Sequence, residues 1–95
     1  MRVRWLRTAL RELDAEITYL AQEDPEAAAR RYALIRSRVT ELGQFPESGR
    51  PGRVSGTREL VIVGLPYLLP YRVRGEELQV LRFFHTRRKP PAQWE

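Results

Sequence analysis

Between Leu10 and Leu42 the apolar residues recur twice with the period of an α-helix, and a short link, Gln22-Glu23-Asp24-Pro25, separates the two runs. In the first run Leu10, Leu13, Ile17 and Leu20 recur at intervals of three, four and three. In the second, Ala28, Tyr32, Ile35, Val39 and Leu42 recur at four, three, four and three. Each is the stripe of an amphipathic helix. The link itself starts the second helix: Asp24 can accept the free N–H groups of the first turn, and Pro25 suits the first helical position. Glu26 and Arg30 stand four apart in the favourable order, and Gly43 is expected to end the helix. Helices joined by so short a link lie antiparallel, so both stripes can face one surface.

The rest of the chain reads as strand and loop. Val3 to Leu6 forms a short opening strand, and three further runs, Thr57 to Val63, Tyr67 to Val73 and Leu78 to His85, are divided by Gly64-Leu65-Pro66 and Arg74-Gly75-Glu76-Glu77. Residues 44–56 hold too much Gly and Pro for a regular element, and this loop displays Arg50 and Arg53. Pro70 cannot donate to a ladder, so it needs a bulge or a position facing away from its neighbour. Lys89 to Glu95 is expected to be extended. The architecture is α+β, in the order β-α-α-β-β-β: an antiparallel sheet covered on one face by a helical hairpin, with the first strand at an edge. A single domain spans residues 1–95.

Composition excludes several classes. With no cysteine there is no disulfide framework, thiolate zinc site or cysteine nucleophile, which fits a reducing compartment. One histidine and no cluster of carboxylates on a short element leave no metal-ligand spacing. Gly49-Arg50-Pro51-Gly52 lacks the context of a phosphate loop, so no cofactor is implied. The apolar stretch Leu60 to Tyr71 is broken by Gly64, Pro66 and Pro70, and the opening Met1-Arg2-Val3-Arg4-Trp5-Leu6-Arg7 has no apolar h-region. Neither a membrane association nor a signal peptide is supported, and a cytoplasmic location is expected. The net charge of +5 is concentrated late: residues 1–43 carry eight Arg and seven acids, residues 44–95 eight Arg, one Lys and five acids. Such a surface favours a polyanion or an acidic protein partner.

Three motifs fall in a telling order: Gly56-Thr57-Arg58-Glu59-Leu60, then Tyr67-x-x-x-Tyr71-Arg72-Val73, then Phe84-His85-Thr86-Arg87-Arg88 followed by Pro90. With Leu42-x-x-Phe45-Pro46-x-x-Gly49-Arg50 ahead of them, they resemble the RelE/ParE superfamily of type II toxin-antitoxin toxins over nearly the whole chain. His85-Thr86-Arg87-Arg88-x-Pro90 and Asp24-Pro25-Glu26-Ala27-Ala28 are similar to the ParE branch. The resemblance implies a growth-arresting protein neutralised by a cognate antitoxin, with DNA gyrase as target. Its RelE-like alternative is cleavage of messenger RNA on the ribosome.

These two readings use different residues. Metal-independent RNA cleavage needs proton transfer and cations on the phosphate. The candidates are His85 and Glu59 for the proton, and Arg72 and Arg82 for charge. RelE-like nucleases place cations on the exposed side of the strands, where two-residue alternation here puts Glu59 and Val61, then Leu68, Pro70 and Arg72. Most of those cations are missing. For binding a target or an antitoxin, the candidates are Arg50, Arg53, Arg58, Phe84, Arg87 and Arg88. The plainer roles are also defined: His85 closing the last strand through a backbone or Glu59 hydrogen bond, Glu59 ion-paired with a cation such as Arg72, and Tyr67 and Tyr71 packed beneath the helices. Of the neighbours Phe83 and Phe84, one faces the helices and one the other side. Trp5 is expected to pack at the core or an edge, and Trp94 to clamp the tail.

Overall fold

The computed structural model describes residues 1–87. Strand β1 (Arg2–Trp5) leads into helix α1 (Arg7–Ala21) and helix α2 (Pro25–Gln44), followed by β2 (Arg50–Pro51), β3 (Arg58–Val61), β4 (Tyr67–Arg74), β5 (Glu77–Val80) and β6 (Phe84–His85). The sheet runs β1-β5-β4-β3-β2, with β6 also pairing β4. β1 lies parallel to β5 at one edge, and the other ladders are antiparallel. The expected α+β class and the edge position of the first strand are present, but the sheet is mixed and not antiparallel throughout, because β1 enters beside β5 in the same direction, and β2 and β6 are added to the expected strands.

Both helices lay their stripes on one side of this sheet. Ala9 and Leu13 of α1 and Ile35, Val39 and Leu42 of α2 meet Leu60, Ile62, Tyr67, Leu69, Tyr71, Leu78 and Val80, all buried. The second helix starts as the sequence implied: Asp24 Oδ1 accepts from the Ala27 N–H at 3.0 Å, with Pro25 in the first turn. Two stripe members, Leu10 and Tyr32, are instead 37% exposed. They sit at the rim because the buried face of α1 is centred on Ala9 and Leu13 and that of α2 on Ala28, Ile35, Val39 and Leu42.

Gly43 does not end α2, which continues to Gln44. Its missing side chain serves packing: a Cβ there would stand 3.0 Å from the Met1 carbonyl and 3.1 Å from Val3 Cγ2. The helix thus lies close against β1, and the terminal amine donates to the Gly43 carbonyl at 2.8 Å.

The run from Leu78 to His85 is not one strand. It breaks at residues 81–83, opposite Pro70, whose carbonyl accepts from the Leu81 N–H at 2.9 Å. A proline has no N–H to give across the ladder, so the partner strand leaves register there and resumes as β6. The β4 to β5 connection is a two-residue hairpin loop that needs positive φ at its first position, and Gly75 supplies it at +59°. The loop at 44–56 holds one short element, β2, paired with β3.

The side of the sheet away from the helices is less open than alternation implies. Val61 is exposed and Arg72 partly so, but Glu59, Leu68 and Pro70 are buried. No helix among the described residues is long and apolar enough to cross a membrane.

Candidate functional site

Strand β2 exists because the chain after α2 is pinned back onto the sheet. The Tyr71 hydroxyl, on β4 and beneath the helices, donates to the Pro46 carbonyl at 2.8 Å and accepts from the Gly49 N–H at 2.9 Å. Arg58 adds a bond to the Gly49 carbonyl at 2.9 Å and a longer one to the Glu47 carbonyl at 3.3 Å. Arg50 is thereby set directly across from Glu59.

What results is a buried carboxylate held by two arginines. Arg50 donates through Nε and Nη2 to Glu59 Oε1 at 3.2 and 3.1 Å, and Arg53 donates its backbone N–H and its Nε to Oε2, both at 3.0 Å. Burial works to raise the Glu59 pKa, but the Arg53 backbone and guanidinium and the Arg50 guanidinium outweigh it. The net shift is downward. Glu59 is 2% exposed, while the side chains of Arg50 and Arg53 remain about half exposed. The expected Glu59 partner, Arg72, is not the observed one. Nothing in the sequence marks this knot, because its members come from a loop and a strand nine and six residues apart with no periodic relation.

Arg72 instead belongs to a polar row across the reverse face. Its Nε donates to Gln79 Oε1 at 2.9 Å, Gln79 Nε2 donates to Glu77 Oε1 at 2.8 Å, and Arg2 donates to Glu77 Oε2 at 2.9 Å. Arg82 is clamped by α1: its Nε and Nη2 reach both Glu12 oxygens at 3.0 and 2.7 Å. Glu12 also accepts the Phe83 N–H, freed by the strand break, at 2.9 Å. The Arg82 guanidinium lies 4.7 Å from the centroid of half-buried Phe84, while Phe83 packs into the core against Tyr67. His85 Nδ1 accepts the Arg87 N–H at 3.2 Å and its ring stands edge-on to Tyr67 at 5.9 Å. Arg87 is exposed, and Arg88 and Trp94 lie outside the described residues.

Among the described residues no hydrogen bond joins Glu59, Arg72, Arg82 and His85 to one another. Each is engaged with its own partner. Tyr67 is buried beneath the helices as expected, but its polar partners were not foreseen: the hydroxyl donates to Glu16 at 2.6 Å and accepts from Arg31 at 3.0 Å, tying β4 to both helices. Burial first, and then the Glu16 carboxylate, raise its pKa. Trp5 packs partly buried beneath the Arg36 guanidinium, 5.4 Å from its ring centroid. No group of three metal-ligating side chains occurs among the described residues.

This arrangement of helical pair, sheet and pinned loop has close counterparts. The family model of the ParE toxin of type II toxin-antitoxin systems, parDE, matches residues 3–90. The chain belongs to the ParE toxin family. A solved structure of a chromosomal ParDE toxin-antitoxin system from P. aeruginosa matches with a TM-score of 0.82 and 34% identity, over 90% of this chain and 95% of that one. A protein named toxin Y4kP from Sinorhizobium fredii is 43% identical over 90 residues, 95% of this chain and 93% of the relative. Toxin RelE2 of Caulobacter vibrioides is 33% identical over 84 residues, 88% of this chain and 93% of the relative. As a ParE-family toxin of a type II toxin-antitoxin system, the protein has a cognate antitoxin as its implied partner.

Proposed function

We propose that this ParE-family toxin arrests growth by gripping a macromolecule, DNA gyrase, and that its antitoxin neutralises it by covering the helical pair and the sheet edge. The observation that carries this reading is the state of Glu59. A carboxylate taking four hydrogen bonds from two arginines is held ionised and makes a poor proton carrier. The same bonds leave the outer faces of Arg50 and Arg53 as part of a rigid basic rim, to which Arg58 and Arg87 add charge. In such an interface buried anchors carry most of the affinity, and the arginines set orientation and encounter rate.

The RelE-like reading, cleavage of messenger RNA on the ribosome, is favoured by one observation, the likeness to toxin RelE2. It requires His85 and Glu59 to exchange protons and Arg72 and Arg82 to hold phosphate charge, which means releasing Glu59 from two arginines and Arg82 from Glu12. A supercoiling assay tests the gyrase proposal. Purified protein added to gyrase and relaxed plasmid should block supercoiling, and full supercoiling at large molar excess rejects the gyrase target.

A further inference from the structure

A cavity of about 650 Å³ opens on the reverse side of the sheet, between the start of α1, the loop ahead of β3 and the far end of β4. Arg7, Arg72 and Arg74 all line it. No carboxylate does so among the described residues. Each of the other arginines at this level is claimed: Arg2 and Arg4 by Glu77, Arg82 by Glu12, Arg50 and Arg53 by Glu59. The side chains of Arg7 and Arg74 make no hydrogen bond or ion pair among the described residues, and that of Arg72 uses only its Nε, on Gln79. That bond restrains the Arg72 side chain, so presenting its terminal nitrogens costs less ordering than for a free arginine.

Two features of the wall narrow the ligand. First, α1 begins here at Leu6 with no side-chain cap and no acid in its first turn, which adds the positive end of the helix to the three guanidinium charges. Second, the remaining wall sets the aliphatic side chains of Leu6, Val54, Val73 and Leu81 beside the hydroxyls of Thr8, Ser55 and Thr57, and no aromatic ring lines the cavity among the described residues. A nucleotide would find phosphate contacts but no platform for its base. A peptide carrying an acidic side chain next to an aliphatic one would suit the whole wall, with the carboxylate in the arginine fork, the alkyl group against the leucines and valines, and the peptide's own backbone beside the Thr8, Ser55 and Thr57 hydroxyls.

We infer that this cavity is a binding site for a carboxylate-bearing, aliphatic peptide segment of a protein partner, held by Arg7, Arg72 and Arg74. That the segment belongs to the antitoxin rests on the proposed function; the site itself does not. The test is fluorescence anisotropy with the purified protein and a labelled ten-residue peptide alternating Glu and Leu, beside the same peptide with Gln for Glu and a single-stranded oligonucleotide. Arg7 and Arg74 are exposed, so Arg7→Gln/Arg74→Gln should keep the fold. It should weaken the Glu peptide by about tenfold or more. Arg30→Gln/Arg36→Gln removes the same charge from α2, outside the cavity, and should change binding by less than about twofold.

Equal losses in the two double variants would reduce the effect to diffuse attraction and overturn the site. So would equal affinity for the Gln peptide, tighter binding of the oligonucleotide through Arg7 and Arg74, or no detectable binding of the Glu peptide. Growth arrest on induction reads the toxin assignment separately: a chain that binds the peptide in this manner without arresting growth keeps the site and loses the toxin proposal.

Discussion

Beneath the helices, Leu60, Ile62, Tyr67, Leu69, Tyr71, Leu78 and Val80 are buried against Leu13, Ile35, Val39 and Leu42. On the reverse face of the same strands, Glu59 and Gln79 are nearly as inaccessible, yet they are held by arginines and hydrogen bonds. The first face is stabilised by removal of apolar surface, which is non-directional and indifferent to pH. The second also buries Leu68 and Pro70, but its Glu59 and Gln79 each depend on meeting a specific partner, so it responds to charge, to acid and to a ligand that brings charge of its own. That reverse face is where arginines divide into those already paired and those, at Arg7 and Arg74, that are not.

Substitutions on the two faces should therefore differ in size and in kind. Leu69→Ala, on the covered face, should cost about 2–5 kcal/mol in urea unfolding at any pH where the fold persists. A loss below about 1 kcal/mol would mean that the helices do not seal this side. Glu59→Gln should cost about 1–3 kcal/mol near neutrality, because Arg50 and Arg53 lose their shared acceptor charge. Its pH dependence carries the sharper information. The folded pKa of Glu59 lies below its ordinary value of 4.5, so its contribution is complete above that value and is lost as pH falls through the folded one. The stability gap between wild type and Glu59→Gln should close on acidification below 4.5, and a gap that widens there would contradict the clamp.

Smaller effects follow further along the reverse face. Gln79→Ala breaks the link from Arg72 to Glu77 and should cost about 0.5–1.5 kcal/mol by the same unfolding measurement. Val61→Thr, at an exposed position without a polar partner, should change stability by less than about 0.5 kcal/mol. If Val61→Thr costs more than Gln79→Ala, the reverse face is held by apolar contact after all.

The same division governs how much could be read from residues alone. Periodicity reports burial, so the stripes through Leu13, Ile17, Ile35, Val39 and Leu42, the Asp24 cap, the edge strand and the covered tyrosines were legible. Gly43 misled because a glycine late in a helix marks either a terminus or a close approach, and only the position of β1 decides between them. Pro70 signalled a ladder fault, but not that the fault would split the last strand. Pairing leaves no periodic trace. The choice of Arg50 and Arg53 over Arg72 for Glu59 depends on the loop pinned by Tyr71, and the convergence of Arg7 with Arg74 depends on parallel pairing of β1 with β5.

The measurement that bears most directly on a toxin acting by binding is primer extension on cellular messages after the protein is induced. Growth should stop while the messages remain intact, because the groups that proton transfer would need are committed to their neighbours. Breaks at defined sites in the messages, arising as growth stops, would contradict the binding mechanism and assign the activity to RNA cleavage.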